Sequence, residues 1–265
     1  PYRAGQKRLV AATYRTIING EQLFIQAPTG IGKTLSTVFP AVWAVGEDYA
    51  DKIFYLTAKT ITRTAAVSAF DILRENGLRA SLIVLTSKEK ICPNPVMDCN
   101  PVQCPYAKGH FDRVNDAVYD LLLHENMYTR EVLLEQAEKF MVCPFELCLD
   151  TASWVDDIIC DYNYVFDPHV RLQRYFADGE KGDYIFLVDE AHNLVERARE
   201  MYSARLEKEE FLAAKKYYEP FKGIVKQLNS CNKKFLELKR ECDGYKCLPE
   251  GEGIGSLVLS LERLY

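Results

Sequence analysis

No apolar run in this chain of 265 residues approaches the length of a bilayer-spanning helix. No secretory leader opens it: Pro1 to Asn19 mixes polar and basic side chains without an apolar centre. These two absences predict a cytoplasmic protein that does not engage a membrane. Internal repeats are missing, which excludes solenoids and propellers. A basic surplus is missing as well. With a net charge of −5, the chain does not coat nucleic acid over its whole surface. A local groove of lysine and arginine remains compatible with that balance. Tightly paired cysteines of the C-x2-C kind are absent, although nine cysteines are present. The first residue is Pro1 rather than methionine, which predicts that something precedes it in the parent chain.

What is present is the composition of a soluble globular protein, with 48% hydrophobic and 27% charged residues, enough for one sizeable core with inserts. Apolar residues recur at helical spacing over Leu9–Ile18, and a short apolar strand is expected at Gln22–Gln26. A helix is expected over Lys33–Val45, a strand over Lys52–Thr57, and a helix over Thr60–Asn76 stopped by Gly77. Ser81–Leu85 reads as a third strand. Strands alternating with helices predict a parallel sheet covered by helices. The pattern then breaks into a stretch rich in proline and cysteine. Helices follow near 112–125 and 129–140, and Cys143-Pro144 opens another. Strand character returns at Asp157–Cys160 and Tyr184–Val188. Residues 87–150 therefore read as an insert between strands of one sheet. Beyond Ala204 the chain is charged and helical, and it stops on the apolar run SLVLSLERLY, which predicts that the parent chain continues.

Ala27–Thr34 reads A-P-T-G-I-G-K-T, a P-loop pattern with alanine in place of the first glycine. Gly30 and Gly32 let the backbone turn so that its N–H groups face inward around phosphate oxygens. Ala27, Pro28, Thr29, Gly30, Ile31, Gly32, Lys33 and Thr34 form the expected cradle for ATP. A helix beginning at Lys33 adds its positive end. Lys33 is expected on the β- and γ-phosphates, and the Thr34 hydroxyl on Mg²⁺. The second half of such a site is Leu187–His192, L-V-D-E-A-H, at the end of an apolar strand. There Asp189 would hold the Mg²⁺ shell, and Glu190 would orient or deprotonate the attacking water.

The cysteines follow the spacing Cys92-x6-Cys99-x4-Cys104-x38-Cys143. In a cytosolic chain such clustering signals metal or catalysis rather than disulfides. Four thiolates suit either Zn²⁺ or a [4Fe–4S] cluster. The absence of paired knuckles leans toward the cluster without settling the metal.

APTGIGKT and DEAH together resemble superfamily 2 helicases and translocases. The order SKEKIC, MDCNP, VQCPYAKGHFD, MVCPFELC, DIICDYNYVFDP and DYIFLVDEAHN resembles the XPD/DinG family of iron–sulfur DNA helicases. That resemblance implies a RecA-like α/β domain with a parallel sheet (1–86 and 151–203), a [4Fe–4S] insert (87–150), and the start of a helical arch (204–265). It implies Cys92, Cys99, Cys104 and Cys143 as cluster ligands. Cys148 and Cys160 are left as extra thiols, with a ligand swap at Cys148 still open. It gives His192 the task of coupling nucleotide to nucleic acid, and places Gln6 near the adenine. It implies single-stranded DNA as partner, 5′→3′ movement, duplex unwinding, and a role in repair or recombination. Lys59, Thr60 and Arg63 after the second strand are candidate contacts to the DNA backbone. Lys88, Lys90, Lys108 and Arg113 flank the cysteines as candidate phosphate contacts, with Tyr106 and Phe111 as stacking rings. Cys231, Cys242 and Cys247 are expected as free thiols. The family's second motor domain has no counterpart in these residues, so weak ATPase activity and no unwinding are expected of them alone. Two other readings compete: a translocase that moves without separating strands, and a redox-sensing nucleic-acid-binding module.

Overall fold

The computed structural model of the protein describes residues 2–28, 30–58, 60–177, 179–242, 244–248 and 253–264. The chain divides into two compact units, one ending at Tyr202 and the other covering Ser203–Tyr265. No helix among the described residues is long and apolar enough to cross a membrane.

The first unit begins with α1 (Gln6–Ile18) and α2 (Lys33–Gly46), which pack on each other. Small buried residues on α2, Ala41 and Ala44, let it lie close to β1 (Lys52–Thr57), whose six residues are all buried. The chain continues through α3 (Thr60–Glu75), β2 (Leu82–Val84), α4 (Lys88–Ile91), α5 (His110–His124), β3 (Met127–Tyr128), α6 (Arg130–Phe140) and α7 (Pro144–Ala152). Then come β4 (Asp157–Asp161), α8 (Asn163–Phe166), α9 (Gln173–Phe176), β5 (Tyr184–Val188) and α10 (Leu194–Met201). The strands form one five-stranded sheet in the order β3-β2-β4-β1-β5, parallel at every pairing. Parallel strands buried on both faces read as continuous apolar runs, as KIFYLT and DIIC do.

Alternation along the strands divides the core. Tyr55, Leu82, Val84 and Ile159 meet Val38 of α2 and Ala66, Ala69 and Phe70 of α3. Phe54, Leu56, Ile83, Ile158 and Cys160 face the other way, into a cluster with Val114 and Leu121 of α5, Leu133 of α6 and Leu147 of α7. The helices of the 87–150 insert thus cover the second face of the sheet. Each fully buried side chain of this size contributes about 1.5–3 kcal/mol.

One expected strand does not form. Gln22–Gln26 belongs to no strand, and Leu23, Phe24 and Ile25 are 39%, 90% and 40% exposed. A strand needs a partner edge; those of β1 are taken by β4 and β5, and Gln22–Gln26 does not pair with the outer edge of β5, which stays open among the described residues. Two residues of the insert, Met127 and Tyr128, pair with β2 instead and extend the sheet at its other end.

In the second unit α11 (Lys208–Tyr217) and α12 (Lys222–Arg240) form a hairpin, with Phe211 and Phe235 in edge contact at 5.0 Å. α13 (Gly255–Glu262) packs on α12 through buried Leu257, and the Ser230 and Ser260 hydroxyls lie 3.3 Å apart.

Candidate functional site

The carboxyl ends of β1 and β5 and the start of α2 meet at one rim of the sheet. Gly32, with φ 81°, caps α2 in the left-handed region, so Lys33 and Thr34 occupy the first helical turn. A Cβ on Gly32 would stand 2.8 Å from the Gln6 amide nitrogen, so this glycine serves space as well as conformation. Gln6 therefore lies against the loop. Its Oε1 accepts from the Arg3 backbone N–H at 2.9 Å, while the Arg3 guanidinium donates to the Gly30 carbonyl. Lys33 Nζ rests on the Ala27 carbonyl at 3.3 Å. Thr29 lies outside the described residues.

Across the rim, the Asp189 N–H donates to the Leu56 carbonyl at 3.0 Å, fixing the end of β5 on β1. The Asp189 carboxyl is half-buried. Burial raises its pKa and the Glu190 charge adds to that, while a hydrogen bond from Tyr55 and the nearby Lys33 ammonium oppose the rise. Lys33 and Asp189 are thus electrostatic neighbours. Tyr55, buried on β1, lies between the two halves. Thr34 on one side favours the ionised form of its hydroxyl, and Asp189 on the other opposes it, alongside the larger rise from burial. Parallel pairing sets Tyr55 beside Leu187, so Asp189, two residues on, projects to the same face.

Glu190 has φ 51° and turns the chain sharply into a short 3₁₀ segment at Ala191–Asn193. Tyr162, at the end of β4, donates to the carbonyls of Asp189 and Glu190, and the Asn193 amide adds a bond to Glu190 O at 3.1 Å. His192 is exposed, with Nδ1 3.3 Å from the Glu190 carboxylate. Arg197 of α10 grips Asp161 at 3.2 Å and Asn163 at 2.8 Å, tying the helix after DEAH to β4. Tyr55, Arg3 and Arg197 carry no sequence motif, and Tyr162 lies in DIICDYNYVFDP without a role assigned to it there. The one signal for the tyrosines was aromatic residues within or at the end of buried strands.

The thiols lie elsewhere in the same unit. Cys143 stands at the N-cap of α7 with no side-chain cap bond. Burial pushes its thiol up, and the nearby backbone N–H groups of Glu146 and Phe145 work against the rise. Its own N–H donates to His110 Nδ1 at 3.2 Å. His110 is buried, with Nε2 lacking a partner, and burial holds its pKa down. Burial works against the Lys88 charge, but Cys99, Glu146 at 3.8 Å and Cys143 prevail and hold its pKa up. Asn94 donates to the Cys104 sulfur at 3.2 Å, and Cys92 is half-buried at the end of α4.

Among the described residues no three histidine, cysteine or acidic side chains converge tightly enough for a single metal ion. The Lys88 ammonium, the Asn94 amide and the His110 ring stand beside Cys99, Cys104 and Cys143, groups of the kind that steady thiolates in a sulfur-ligated cluster. Cys148 is fully enclosed and pushed up to about 12 by burial, and burial raises Cys160 as well. Both are neutral packing thiols.

The expected DNA contacts fare unevenly. Lys59 and the side chain of Thr60 lie outside the described residues. Arg63 is half-buried near Cys148, Cys160 and Tyr164, with Nε enclosed and unpartnered. Arg113 gives its N–H groups to the carbonyls of Phe140 at 2.9 Å, Lys108 at 2.8 Å and Met141 at 2.5 Å. It ties the turn before α5 to the end of α6 and the link after it instead of facing outward. Lys90 and Lys108 are exposed, Phe111 is 85% exposed, and Tyr106 is half-buried.

A family model described as DEAD_2 matches residues 75–211. The chain is similar to the general transcription and DNA repair factor IIH helicase subunit XPD/RAD3 of Saccharomyces cerevisiae, 25% identical over 214 residues. That match covers 68% of this chain and 27% of the relative. It is also similar to a probable ATP-dependent helicase of Methanocaldococcus jannaschii, 23% identical over 193 residues, covering 72% of this chain and 28% of the relative. Among solved structures, an XPD helicase superposes with a TM-score of 0.63 at 18% identity, over 99% of this chain and 48% of that one. The chain thus spans less than a third of the length of these two curated relatives.

Proposed function

Because this chain belongs to the DEAD_2 family of XPD-type superfamily 2 helicases, we propose that it forms the ATP-binding part of a DNA helicase. In this reading the whole protein hydrolyses ATP, moves 5′→3′ on single-stranded DNA, and serves DNA repair. The observation that carries it is that Lys33, Thr34 and Asp189 meet around the Tyr55 hydroxyl at one rim of the sheet.

The Gly30–Gly32 turn and the first turn of α2 offer N–H groups to phosphate oxygens. Lys33 leaves the Ala27 carbonyl to reach the terminal phosphates. Thr34 and Asp189 hold Mg²⁺, whose charge favours the ionised form of Asp189 that burial disfavours. Glu190, held by its left-handed turn, orients the water, and His192 beside it passes the state of the site to the nucleic-acid side.

Cys92, Cys99, Cys104 and Cys143 would hold a [4Fe–4S] cluster, which supplies a rigid closure for a loop-rich segment. Lys88, Asn94 and the α7 N-terminus stabilise thiolate charge there.

The test uses the full-length protein. Lys33→Ala is expected to weaken ATP binding at least about tenfold. Glu190→Gln keeps binding but loses DNA-stimulated turnover and strand separation. Full unwinding by Glu190→Gln would sink the motor assignment. Anaerobic protein should carry about four irons and absorb broadly near about 400 nm, and colourless protein with stoichiometric zinc would defeat the cluster.

A further inference from the structure

The turn joining α11 to α12 differs from the rest of its unit. It presents Tyr217 at 79% exposure, Tyr218 at 38% and Phe221 at 59%. The rings brace one another edge-on, Tyr217 to Tyr218 at 4.9 Å and 82°, and Tyr218 to Phe221 at 6.3 Å and 65°. Backbone bonds hold the turn tight, from Tyr218 N to Ala214 O and from Phe221 N to Tyr218 O, both 2.9 Å. Braced rings lose little freedom when a flat ligand settles on them.

Charge sets the chemistry of that ligand. From Lys215 to Lys226 there are four lysines and one glutamate, a net of +3, within a chain of net −5. Lys216, Lys222 and Lys226 are exposed, and none takes part in an ion pair among the described residues. Lys222 and Lys226 stand four apart on one face of α12. By contrast, α13 exposes the aliphatic Val258 and Leu259, a surface suited to packing against protein.

We propose that the α11–α12 turn is a contact site for single-stranded nucleic acid, with Tyr217 and Phe221 stacking on bases and Lys216, Lys222 and Lys226 meeting phosphates. Unpaired bases offer flat faces to the rings, whereas a duplex hides them, so the site selects single strands. This rests on the helicase reading above for the identity of the polyanion.

The experiment measures binding of a fluorescent oligo-dT to the full-length protein across a salt series, without nucleotide. Tyr217→Ala and Phe221→Ala are each expected to weaken binding at least about fivefold, and Tyr217→Phe to restore it, since stacking needs the ring and not the hydroxyl. Replacing Lys216, Lys222 and Lys226 with alanine should lower the salt slope by about 2. If wild-type protein binds while all these variants match it in affinity and slope, this site is wrong and the helicase reading stands. Equal losses on duplex DNA overturn the stacking. If wild-type protein does not bind oligo-dT, the helicase reading falls and takes this site with it. The substituted side chains lie at the surface, so circular dichroism should show an unchanged fold.

Discussion

At the scale of single residues, the Tyr55 hydroxyl lies between two groups that sit 155 positions apart in the chain, Thr34 and Asp189. Tyr55→Phe keeps the ring in its buried place and removes only the hydroxyl. A net hydrogen-bond contribution of about 1 kcal/mol corresponds to roughly a fivefold change in an equilibrium constant. The expected outcome is a Mg²⁺–ATP affinity about fivefold weaker with little change in Tm, read from nucleotide titrations at several magnesium concentrations. Unchanged affinity would mean that the Tyr55 hydroxyl takes no part in holding the nucleotide. The motif residues around Tyr55 were legible in sequence because phosphate cradles and acidic pairs require particular types at particular spacings. Tyr55 was not. A tyrosine in KIFYLT looks like any aromatic in a buried strand, and only the strand register tells which face its hydroxyl meets.

At the scale of elements, Arg113 shows how side-chain donors shape a loop-rich segment. Its three carbonyl partners join the turn before α5 to the link between α6 and α7. Arg113→Ala is expected to cost about 2 kcal/mol, in line with hydrogen bonds to a charged donor. It should lower Tm and hasten loss of iron from loaded protein. A variant that retains iron as wild type would return Arg113 to the role of a surface charge. The helices α5, α6 and α7 were readable from apolar spacing, and β1 and β5 from continuous apolar runs. Two features escaped. QLFIQ has the composition of a strand, but a ladder depends on a partner edge that local sequence does not encode. Met127–Tyr128 is too short to signal anything, and pairing with β2 alone makes it a strand.

At the scale of the molecule, covering both faces of the sheet has a cost at the amino ends of its strands. Asp157 opens β4 with its carboxyl 1% exposed and Oδ2 unpartnered, near Lys52 of β1. Burial raises the Asp157 pKa well above its ordinary value, Asp156 adds to this, and Lys52 opposes it. The unfolded chain ionises this group near its ordinary value, while the folded chain keeps its proton to higher pH. Its contribution to stability is therefore full below the unfolded pKa and is lost as pH rises through the folded one. Asp157→Asn, which cannot ionise, is expected to gain on wild type steadily as pH climbs from about 4, as measured by urea midpoints across the range. A constant difference at all pH values would show that Asp157 is ionised in the folded state. The division of the core into two faces followed from strand alternation. The choice of the cysteine-rich insert as the second cover did not, because its helices are amphipathic in a way that fits any apolar partner.

The residues from Glu21 to Pro28, which lead into the phosphate loop, join no strand. The loop consequently hangs like a clasp between two helices, its buckle formed by Arg3 on Gly30 and Gln6 against Gly32. Undoing the first turn of α1 would slacken that clasp while leaving Lys33, Asp189 and Glu190 in their own positions.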